Sequence, residues 1–267
     1  MIMNILYAFL SVTVLGGLLG TGLAFAAKKL AVKKDERVTT VEDALPGINC
    51  GACGYAGCSA YAEAIVLEGA EIGLCPPGGA ASASAISDIM GVEVEISDVK
   101  LVARVHCNGN RERSVYSFDY RGVSDCNAAV LLHKGDKQCK YGCLGLGSCI
   151  SVCPVDAIAK TEDGRVAVDK EICIGCRKCV TVCPTGVMKM IPYEADYFVA
   201  CNSIDKGAAV KKACKVGCIG CKICERKFPE SGFKVTNFLS QLDYSVEGVD
   251  RDKAADACPT NSICRID

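Results

Sequence analysis

A cysteine run with the spacing C-x2-C-x2-C-x3-C-P, at residues 173–184, constrains this chain more than any other feature. In bacterial two-cluster ferredoxins this spacing gives three thiolates to one 4Fe-4S cluster and the fourth thiolate to a second cluster. A related run, "CKYGCLGLGSCISVCP", precedes it at residues 139–154. Together the two runs predict a ferredoxin-like unit with two clusters.

Crossing over between the runs predicts two sets of ligands. One set is Cys173, Cys176, Cys179 and Cys153. The other set is Cys139, Cys143, Cys149 and Cys183. In this second set Leu146 stands at the usual middle position, and we expect Cys139 to take over its role. Between the runs, alternating residues around Asp163-Gly164 predict a β-hairpin.

A separate group of cysteines lies nearer the N-terminus, with the spacing C-x2-C-x4-C-x16-C. Its members are Cys50, Cys53, Cys58 and Cys75. Four thiolates complete the ligand shell of a 4Fe-4S cluster, and a structural zinc site is the alternative. The apolar run at residues 60–73 predicts a helix that covers the site, and the small residues at 78–88 predict a linker.

The chain also contains an internal repeat with a shift of 75 residues, found by comparing the sequence with itself. The register extends without gaps from Cys126-Asn127 on Cys201-Asn202 to Cys183-Pro184 on Cys258-Pro259. Residues 201–267 therefore resemble a second copy of the two-cluster unit.

The second copy lacks the complete ligand set of one cluster. The lost cysteines Cys153, Cys173, Cys176 and Cys179 correspond to Phe228, Gly248, Arg251 and Ala254. The ligands of the other cluster remain, as Cys218, Cys221, Cys224 and Cys258. We expect Phe228 to fill the lost site as an apolar plug, because protein interiors are close-packed.

Five of the 21 cysteines remain outside these four sets: Cys107, Cys126, Cys201, Cys214 and Cys264. The first four have two interpretations, either ligands of a further cluster or buried thiols. Another alternative is that Cys214 replaces Cys221. Cys264 is expected to be an unliganded thiol. The sequence thus predicts four 4Fe-4S clusters, with a fifth as the alternative, and iron bound by cysteines alone.

The N-terminus predicts a membrane anchor. Residues 2–26 carry no charge, and about 20 apolar residues are enough to cross a bilayer as a helix. A cleaved signal peptide is the alternative, but the basic segment that normally precedes its apolar core is missing. Positive charges follow the span at Lys28, Lys29, Lys33 and Lys34. The positive-inside rule then predicts a single-pass protein of the cell membrane with its C-terminal domains in the cytoplasm.

Charge and motifs exclude several function classes. The net charge of −1 gives no reason to expect a nucleic-acid partner, and the absence of phosphate-binding glycine motifs predicts that the chain binds no nucleotide. One segment, residues 206–227, is strongly basic. It is interpreted either as a docking site for an acidic electron donor such as soluble ferredoxin, or as a solvated surface whose cations offset cluster charge.

Four features together resemble the family of Rnf complex B subunits: the uncharged N-terminal span, LPGINCGACGYAGC with CPPGG, CKYGCLGLGSC with its paired C-P motifs, and DKGAAVKKACKVGCIGC. The resemblance covers essentially the whole chain. It implies a subunit of a membrane-bound ferredoxin oxidoreductase that translocates Na⁺ or H⁺. This subunit would accept electrons from reduced soluble ferredoxin and pass them to partner subunits. The cluster at Cys50–Cys75 would lie nearest the membrane.

The second copy departs from the family pattern, because long members of that family are similar to a doubled ferredoxin that keeps both clusters.

The predicted fold is α+β: a transmembrane anchor (1–27), a 4Fe-4S domain with linker (28–95), a two-cluster ferredoxin-like domain (96–192) and a degenerate repeat with one cluster (193–267). No residue is predicted to be catalytic, so the chain is expected to transfer electrons as one component of a larger complex. The alternatives are a ferredoxin-like subunit of another membrane oxidoreductase, such as a hydrogenase, and a membrane-tethered iron–sulfur sensor.

Overall fold

The computed structural model describes residues 2–29, 35–94 and 99–266. These residues form a mixture of helices and short strands, which confirms the α+β class. The helices are α1 (Ile2–Lys29), α2 (Glu36–Asp43), α3 (Cys58–Glu63), α4 (Gly79–Met90), α5 (Cys126–Val130), α6 (Ser148–Ser151), α7 (Lys178–Val182), α8 (Gly207–Ala213), α9 (Ile223–Lys227) and α10 (Asp252–Asp256). The strands are β1 (Leu101–Val105), β2 (Ile158–Lys160), β3 (Val166–Val168), β4 (Met188–Pro192), β5 (Tyr197–Val199), β6 (Phe233–Thr236), β7 (Leu239–Leu242) and β8 (Ile263–Arg265).

Helix α1 contains most of the predicted anchor and extends over 28 residues, ending at Lys28 and Lys29. Across the described residues, no helix satisfies the combined requirements of length and apolar character for crossing a membrane. Lys33 and Lys34, which the orientation prediction also used, lie outside the described residues.

The region after α1 folds around its own small core, formed by α2, α3 and α4 together with a π-helical turn, Ala64–Glu68, that continues α3. Val41, Tyr61 and Ile86 are among its buried side chains. The prediction of a linker at residues 78–88 is wrong, because these residues belong to helix α4. Alanine is the strongest helix former, and here the small residues pack: Ala83 and Ile86 are buried.

Residues 101–192 form the first ferredoxin-like unit, built from two antiparallel strand pairs. The terminal strands β1 and β4 pair with Leu101 opposite Pro192. Between them in sequence, β2 and β3 form the predicted hairpin, with Ile158 opposite Val168. Buried side chains from all four strands share one core with cysteines from both runs. The two pairs therefore hold the cysteine loops against a common apolar interior.

The second unit repeats this arrangement. Strand β5 pairs with β8, and β6 pairs with β7, where Phe233 lies opposite Leu242. Phe233 stands 75 residues after Ile158, the equivalent first residue of β2, and helix α9 likewise starts 75 residues after α6. The shift found in the sequence therefore also relates these elements of the structure, as it relates β4 to β8, but it does not relate β1 to β5.

The lost cluster site of the second unit is filled in a different way from the predicted apolar plug. Phe228 packs against the core of this unit but is only half-buried. Two of the lost positions hold buried side chains, Ala254 at 1% exposed and Arg251 at 7% exposed, and Arg251 stands where the first unit has Cys176. Its guanidinium donates to both carboxylate oxygens of Asp196, at 2.8 and 3.1 Å, and to the backbone oxygen of Ser231 at 3.1 Å. A charged fork with fixed partners thus lies at a position that a cysteine holds in the first unit.

Candidate iron–sulfur centres

The first unit contains a cavity lined by all four cysteines of one predicted set: Cys153, Cys173, Cys176 and Cys179. Three of them, in the 173–179 loop, are buried, and Cys153 reaches the cavity from the other run. The loop makes a close approach at Gly175, where φ is +69° and an added Cβ would lie 2.6 Å from the backbone oxygen of Leu101. Glycine is required there, because the loop presses directly on strand β1.

The environment of this set suits thiolates that bind iron. The backbone N–H of Ala103 points to the Cys173 sulfur at 3.5 Å. Burial raises the pKa of Cys179 to about 12, and repulsion from Cys173 and Cys176 adds to this effect. Four thiols packed so closely cannot all ionise without a compensating cation. An iron–sulfur cluster supplies that positive charge, and N–H donors to the sulfurs tune its potential.

The second cavity of the first unit differs from the prediction. It is lined by Cys143, Cys149 and Cys183, as expected, but the fourth cysteine is Cys126, not Cys139. Burial raises the pKa of Cys149 to about 11, and the adjacent charges of Cys126 and Cys183 raise it further. The structure therefore brings Cys126 into the position that the sequence analysis assigned to Cys139.

Hydrogen bonds explain why Cys126 lies there. The Ser124 hydroxyl donates to the backbone oxygen of Leu146 at 3.0 Å, beside the missing middle ligand. The N–H of Cys126 donates to the Ser148 hydroxyl at 2.7 Å, which in turn donates to Asp125 at 2.8 Å. Asp125 also caps helix α5. The 124–126 segment is thus hydrogen-bonded to residues 146–148. Cys126 therefore lies beside Leu146, the position at which the usual motif has a cysteine.

The N-terminal set is also brought together. Burial raises the pKa of Cys75, and the thiolates of Cys50, Cys58 and Cys53 raise it further, so all four lie within electrostatic reach of one another. The Asn49 side chain accepts a hydrogen bond from the N–H of Cys58 at 2.8 Å and helps to shape the first loop.

In the second unit, three of the remaining predicted ligands, Cys218, Cys224 and Cys258, contact one core. Cys218 and Cys224 are buried, Cys258 is half-buried and Cys221 is exposed. The Ser240 N–H points to the Cys218 sulfur at 3.4 Å, and the Ser262 N–H points to the Cys258 sulfur at 3.4 Å. Although burial opposes the effect, hydrogen bonds from Ser262 and Thr260 lower the pKa of Cys258. These hydrogen bonds stabilise the thiolate form of Cys258 relative to that of an ordinary cysteine.

The cysteines outside the four predicted sets are arranged differently from the sequence-based alternative, which grouped Cys107, Cys126, Cys201 and Cys214. Cys126 lines the cavity of Cys143, Cys149 and Cys183. The other three line a separate cavity together with Cys139. That cavity is lined by Cys107, Cys139, Cys201 and Cys214. Cys264, expected to be unliganded, lies on strand β8 and directs its thiol to the backbone oxygen of Asn261 at 3.9 Å.

The N-terminal set and the two sets of the first unit are neighbours. Cys53 and Cys75 line one cavity together with Gly175, which lies between Cys173 and Cys176. Cys149 packs against the same core as Cys153 and Cys179. The thiols of these three sets are therefore close in space.

A single-ion site is a separate question. Considering residues 2–29, 35–94 and 99–266, no three His, Cys, Asp or Glu side chains are grouped so as to hold one metal ion. The cysteine sets of the first unit line cavities, and a 4Fe-4S cluster needs such a space because each thiolate binds a different iron atom.

Two family models match the chain. One, described as "Putative Fe-S cluster", matches residues 45–77. The other, described as a 4Fe-4S dicluster domain, matches residues 138–190. The matches cover the N-terminal cysteine group and both runs of the first unit.

The chain is also similar to curated proteins over most of its length. It is 42% identical to the B subunit of the ion-translocating oxidoreductase complex of Methanosarcina acetivorans, over 87% of this chain and 89% of the relative. It is 43% identical to the B subunit of the proton-translocating ferredoxin:NAD(+) oxidoreductase complex of Clostridium ljungdahlii, over 95% and 90%. It is 41% identical to the B subunit of the Na(+)-translocating ferredoxin:NAD(+) oxidoreductase complex of Acetobacterium woodii, over 94% and 74%.

Proposed function

Because the chain belongs to the family of B subunits of ion-translocating oxidoreductase complexes, the Rnf family, we propose that it is the electron-transfer subunit of such a complex. It accepts electrons from reduced ferredoxin and passes them through 4Fe-4S clusters to partner subunits, which couple electron flow to ion translocation. The relatives include one named as proton-translocating and one named as Na(+)-translocating, so the family name leaves the ion open.

The observation that carries this proposal is the succession of neighbouring cysteine sets. When bound, each 4Fe-4S cluster supplies reversible transfer of one electron. The chain's own residues hold the clusters with thiolates and donate hydrogen bonds to the sulfurs. They also enclose the ligands among apolar side chains. Electron relay requires no acid, base or nucleophile from this chain.

The structure supports a revised assignment of sixteen ligands to four clusters. The proposed sets contain Cys126 in place of Cys139, and they are Cys50/Cys53/Cys58/Cys75, Cys153/Cys173/Cys176/Cys179, Cys126/Cys143/Cys149/Cys183 and Cys218/Cys221/Cys224/Cys258. The sets follow the proposed division into domains at residues 28–95, 96–192 and 193–267.

The membrane anchor at residues 1–27 is part of the same proposal. Its support is the uncharged stretch at 2–26 and the exposure of large apolar side chains along α1, such as Phe9 at 74% and Leu23 at 71%. Such side chains gain favourable surroundings only in lipid or against partner helices. The lysines at the end of α1 support the proposal that the remaining domains lie on the cytoplasmic side, by the positive-inside rule.

The basic segment at residues 206–227 is the proposed docking site for ferredoxin. Lys211 and Lys212 are exposed in the last turn of α8, and Lys227 is exposed at the end of α9. An acidic donor is attracted to such a surface, which lies beside the cluster ligands Cys218–Cys224.

Electron acceptance is tested with the full chain, purified anaerobically in detergent and mixed with reduced ferredoxin. We expect rapid oxidation of ferredoxin, reduction of the chain's clusters seen by electron paramagnetic resonance (EPR), and no reduction of added NAD. A Lys211→Glu/Lys212→Glu variant should slow the reaction at low ionic strength, whereas Lys100→Glu, outside the basic segment, serves as the control. Absence of electron transfer, or direct NAD reduction by the chain alone, contradicts the proposal.

The revised ligand set is tested by Cys126→Ser in the full chain. We expect the loss of about four iron atoms per chain, because one cluster loses a ligand. Cys264→Ser is the matched control and should keep the wild-type iron content. If Cys126→Ser also keeps all of its iron, the assignment of Cys126 to this cluster is wrong.

A further inference from the structure

A cavity between the two ferredoxin-like units is lined by four cysteines from four separate segments. They are Cys107, which follows β1, Cys139 at the start of the first run, Cys201 after β5, and Cys214 after α8. Cys139 and Cys214 are equivalent positions in the 75-residue repeat. The cavity therefore takes one matching cysteine from each copy.

A short extended segment, residues 113–117, draws these cysteines together. It pairs with the first unit, where Gln138 N–H donates to the backbone oxygen of Val115 at 2.9 Å. It also pairs with the second unit, where Lys215 N–H donates to the backbone oxygen of Arg113 at 2.8 Å. The residues that precede Cys139 and follow Cys214 are thus held by the same short segment.

Two further contacts complete the enclosure. Asn108 N–H donates to the backbone oxygen of Ala200 at 3.1 Å, which joins the loops that carry Cys107 and Cys201. The Ser114 hydroxyl lies 3.7 Å from the Cys214 sulfur. All four cysteines are therefore positioned by backbone pairing between segments that are distant in sequence.

A buried lysine lies at the same cavity. Lys137 is 6% exposed, and its ammonium donates to the backbone oxygen of Gly109 at 2.9 Å. Lys137 lines this cavity together with the four cysteines. A buried ammonium is costly unless it faces negative charge. A cluster bound by four thiolates carries net negative charge and provides that partner.

None of the four cysteines is needed by the clusters already assigned. Cys126 replaces the missing ligand at Leu146, which frees Cys139. In the second unit Cys221 occupies the equivalent of Leu146, which frees Cys201, the counterpart of Cys126.

We propose that Cys107, Cys139, Cys201 and Cys214 bind a fifth 4Fe-4S cluster, at the junction of the two units. This ligand set differs from the sequence-based alternative, which contained Cys126 instead of Cys139. The inference rests on the proposed iron–sulfur function of the chain.

The position of the site gives the cluster a role. Cys107 packs against the core of the first unit together with Cys143. Cys201 is buried in the core of the second unit together with Cys218. The junction site thus adjoins the Cys126/Cys143/Cys149/Cys183 set on one side and the Cys218/Cys221/Cys224/Cys258 set on the other. A cluster there connects the second unit to the rest of the electron path.

The experiment measures iron and acid-labile sulfide in the full chain, reconstituted anaerobically, for the wild type, Cys107→Ser/Cys214→Ser and Cys264→Ser. We expect about 20 iron atoms per chain in the wild type and in Cys264→Ser, and about 16 in the double variant, at four per cluster. Cys107 and Cys214 are chosen because neither belongs to another proposed set.

The outcomes separate the inference from the function on which it rests. About 16 iron atoms in the wild type, unchanged in the double variant, overturns the fifth cluster and leaves the proposed function intact. Zinc in place of iron, or no bound metal, overturns the proposed function as well. Retention of about 20 iron atoms in the double variant overturns this ligand set.

A second variant guards against a misfolded double variant. Lys137→Met should keep about 20 iron atoms but lower the midpoint potential of one cluster in an EPR-monitored redox titration, because a buried positive charge favours the reduced, more negative state. Lys211→Met, which removes an exposed charge, is the control and should leave all potentials nearly unchanged. Unchanged potentials in Lys137→Met overturn the placement of a cluster beside this lysine.

Discussion

Replacing Arg251 with alanine tests whether its guanidinium supports the second unit where the lost cluster would have stood. The side chain is 7% exposed and bridges three elements of the unit. It binds Asp196 before β5 and the backbone oxygens of Ser231 and Val246 on either side of the β6–β7 hairpin. Arg251→Ala removes all these contacts and leaves a space that small neighbours do not fill.

The expected loss can be estimated contact by contact. Ser231 is 1% exposed, so its backbone oxygen stays dry and unpaired, at a cost of about 1 to 3 kcal/mol. The half-buried Val246 loses a charged donor at about 1 kcal/mol, because water can partly replace it. The Asp196 side chain is 44% exposed, so screening limits the ion pair to about 1 kcal/mol or less. We expect a total near 3 kcal/mol, which corresponds to roughly a hundredfold change in an equilibrium constant.

The assay is hydrogen–deuterium exchange of the anaerobic, cluster-loaded protein, followed by mass spectrometry of peptides that cover residues 229–246. Arg251→Ala should lower protection there by roughly a hundredfold, with little change in residues 101–192. Arg226→Ala, which removes an exposed arginine of helix α9, is the matched control, and its effect should stay within about 0.5 kcal/mol. Equal protection in the two variants would refute the conclusion that Arg251 holds this unit together.

Two further variants test other contacts. Tyr61→Phe removes a hydroxyl that accepts the N–H of Leu74 at 3.1 Å beside the ligand Cys75, so the N-terminal domain should lose about 2 kcal/mol, and unchanged exchange of residues 58–75 would contradict this. The hydrogen bond from Tyr197 to Asp252 raises the tyrosine pKa to about 12, so the protonated form stabilises the fold below pH 10 and this stabilisation is lost as the pH rises from about 10 to about 12. The stability difference between wild type and Tyr197→Phe, from anaerobic urea denaturation, should therefore shrink over that range, and a constant difference would show that the bond does not control the titration.

Features formed by residues close together in the chain, namely the cysteine loops and the β2–β3 hairpin, could be predicted from the order of residues alone. Cysteines within one loop, such as Cys173, Cys176 and Cys179, stay close in any fold that forms the loop, so their grouping follows from spacing alone. The β2–β3 hairpin likewise depends on alternation around Asp163-Gly164 and on a turn that favours glycine. The repeat and the family resemblance also required only the order of residues.

Contacts between residues far apart in the sequence could be identified only in the folded protein. Cys126 lies upstream of the first run and Cys139 begins it, and sequence spacing alone does not show which of them reaches the position of Leu146. Hydrogen bonds through Ser148 bring Cys126 to that site, and pairing with residues 113–117 turns Cys139 toward the second unit. The choice depends on contacts between segments up to 100 residues apart, such as Ser114 with Cys214.

The same physical reason explains the other differences. Composition at residues 78–88 predicted a linker, because small residues are common in flexible segments, but burial of Ala83 and Ile86 against α2 and α3 makes them a helix. The lost cluster site was recognised from the repeat, yet the role of Arg251 depends on Asp196, 55 residues earlier in the chain. Local spacing thus determines which residues are available as ligands and partners. Long-range packing selects among them, because its free energy comes from contacts that exist only when the chain is folded.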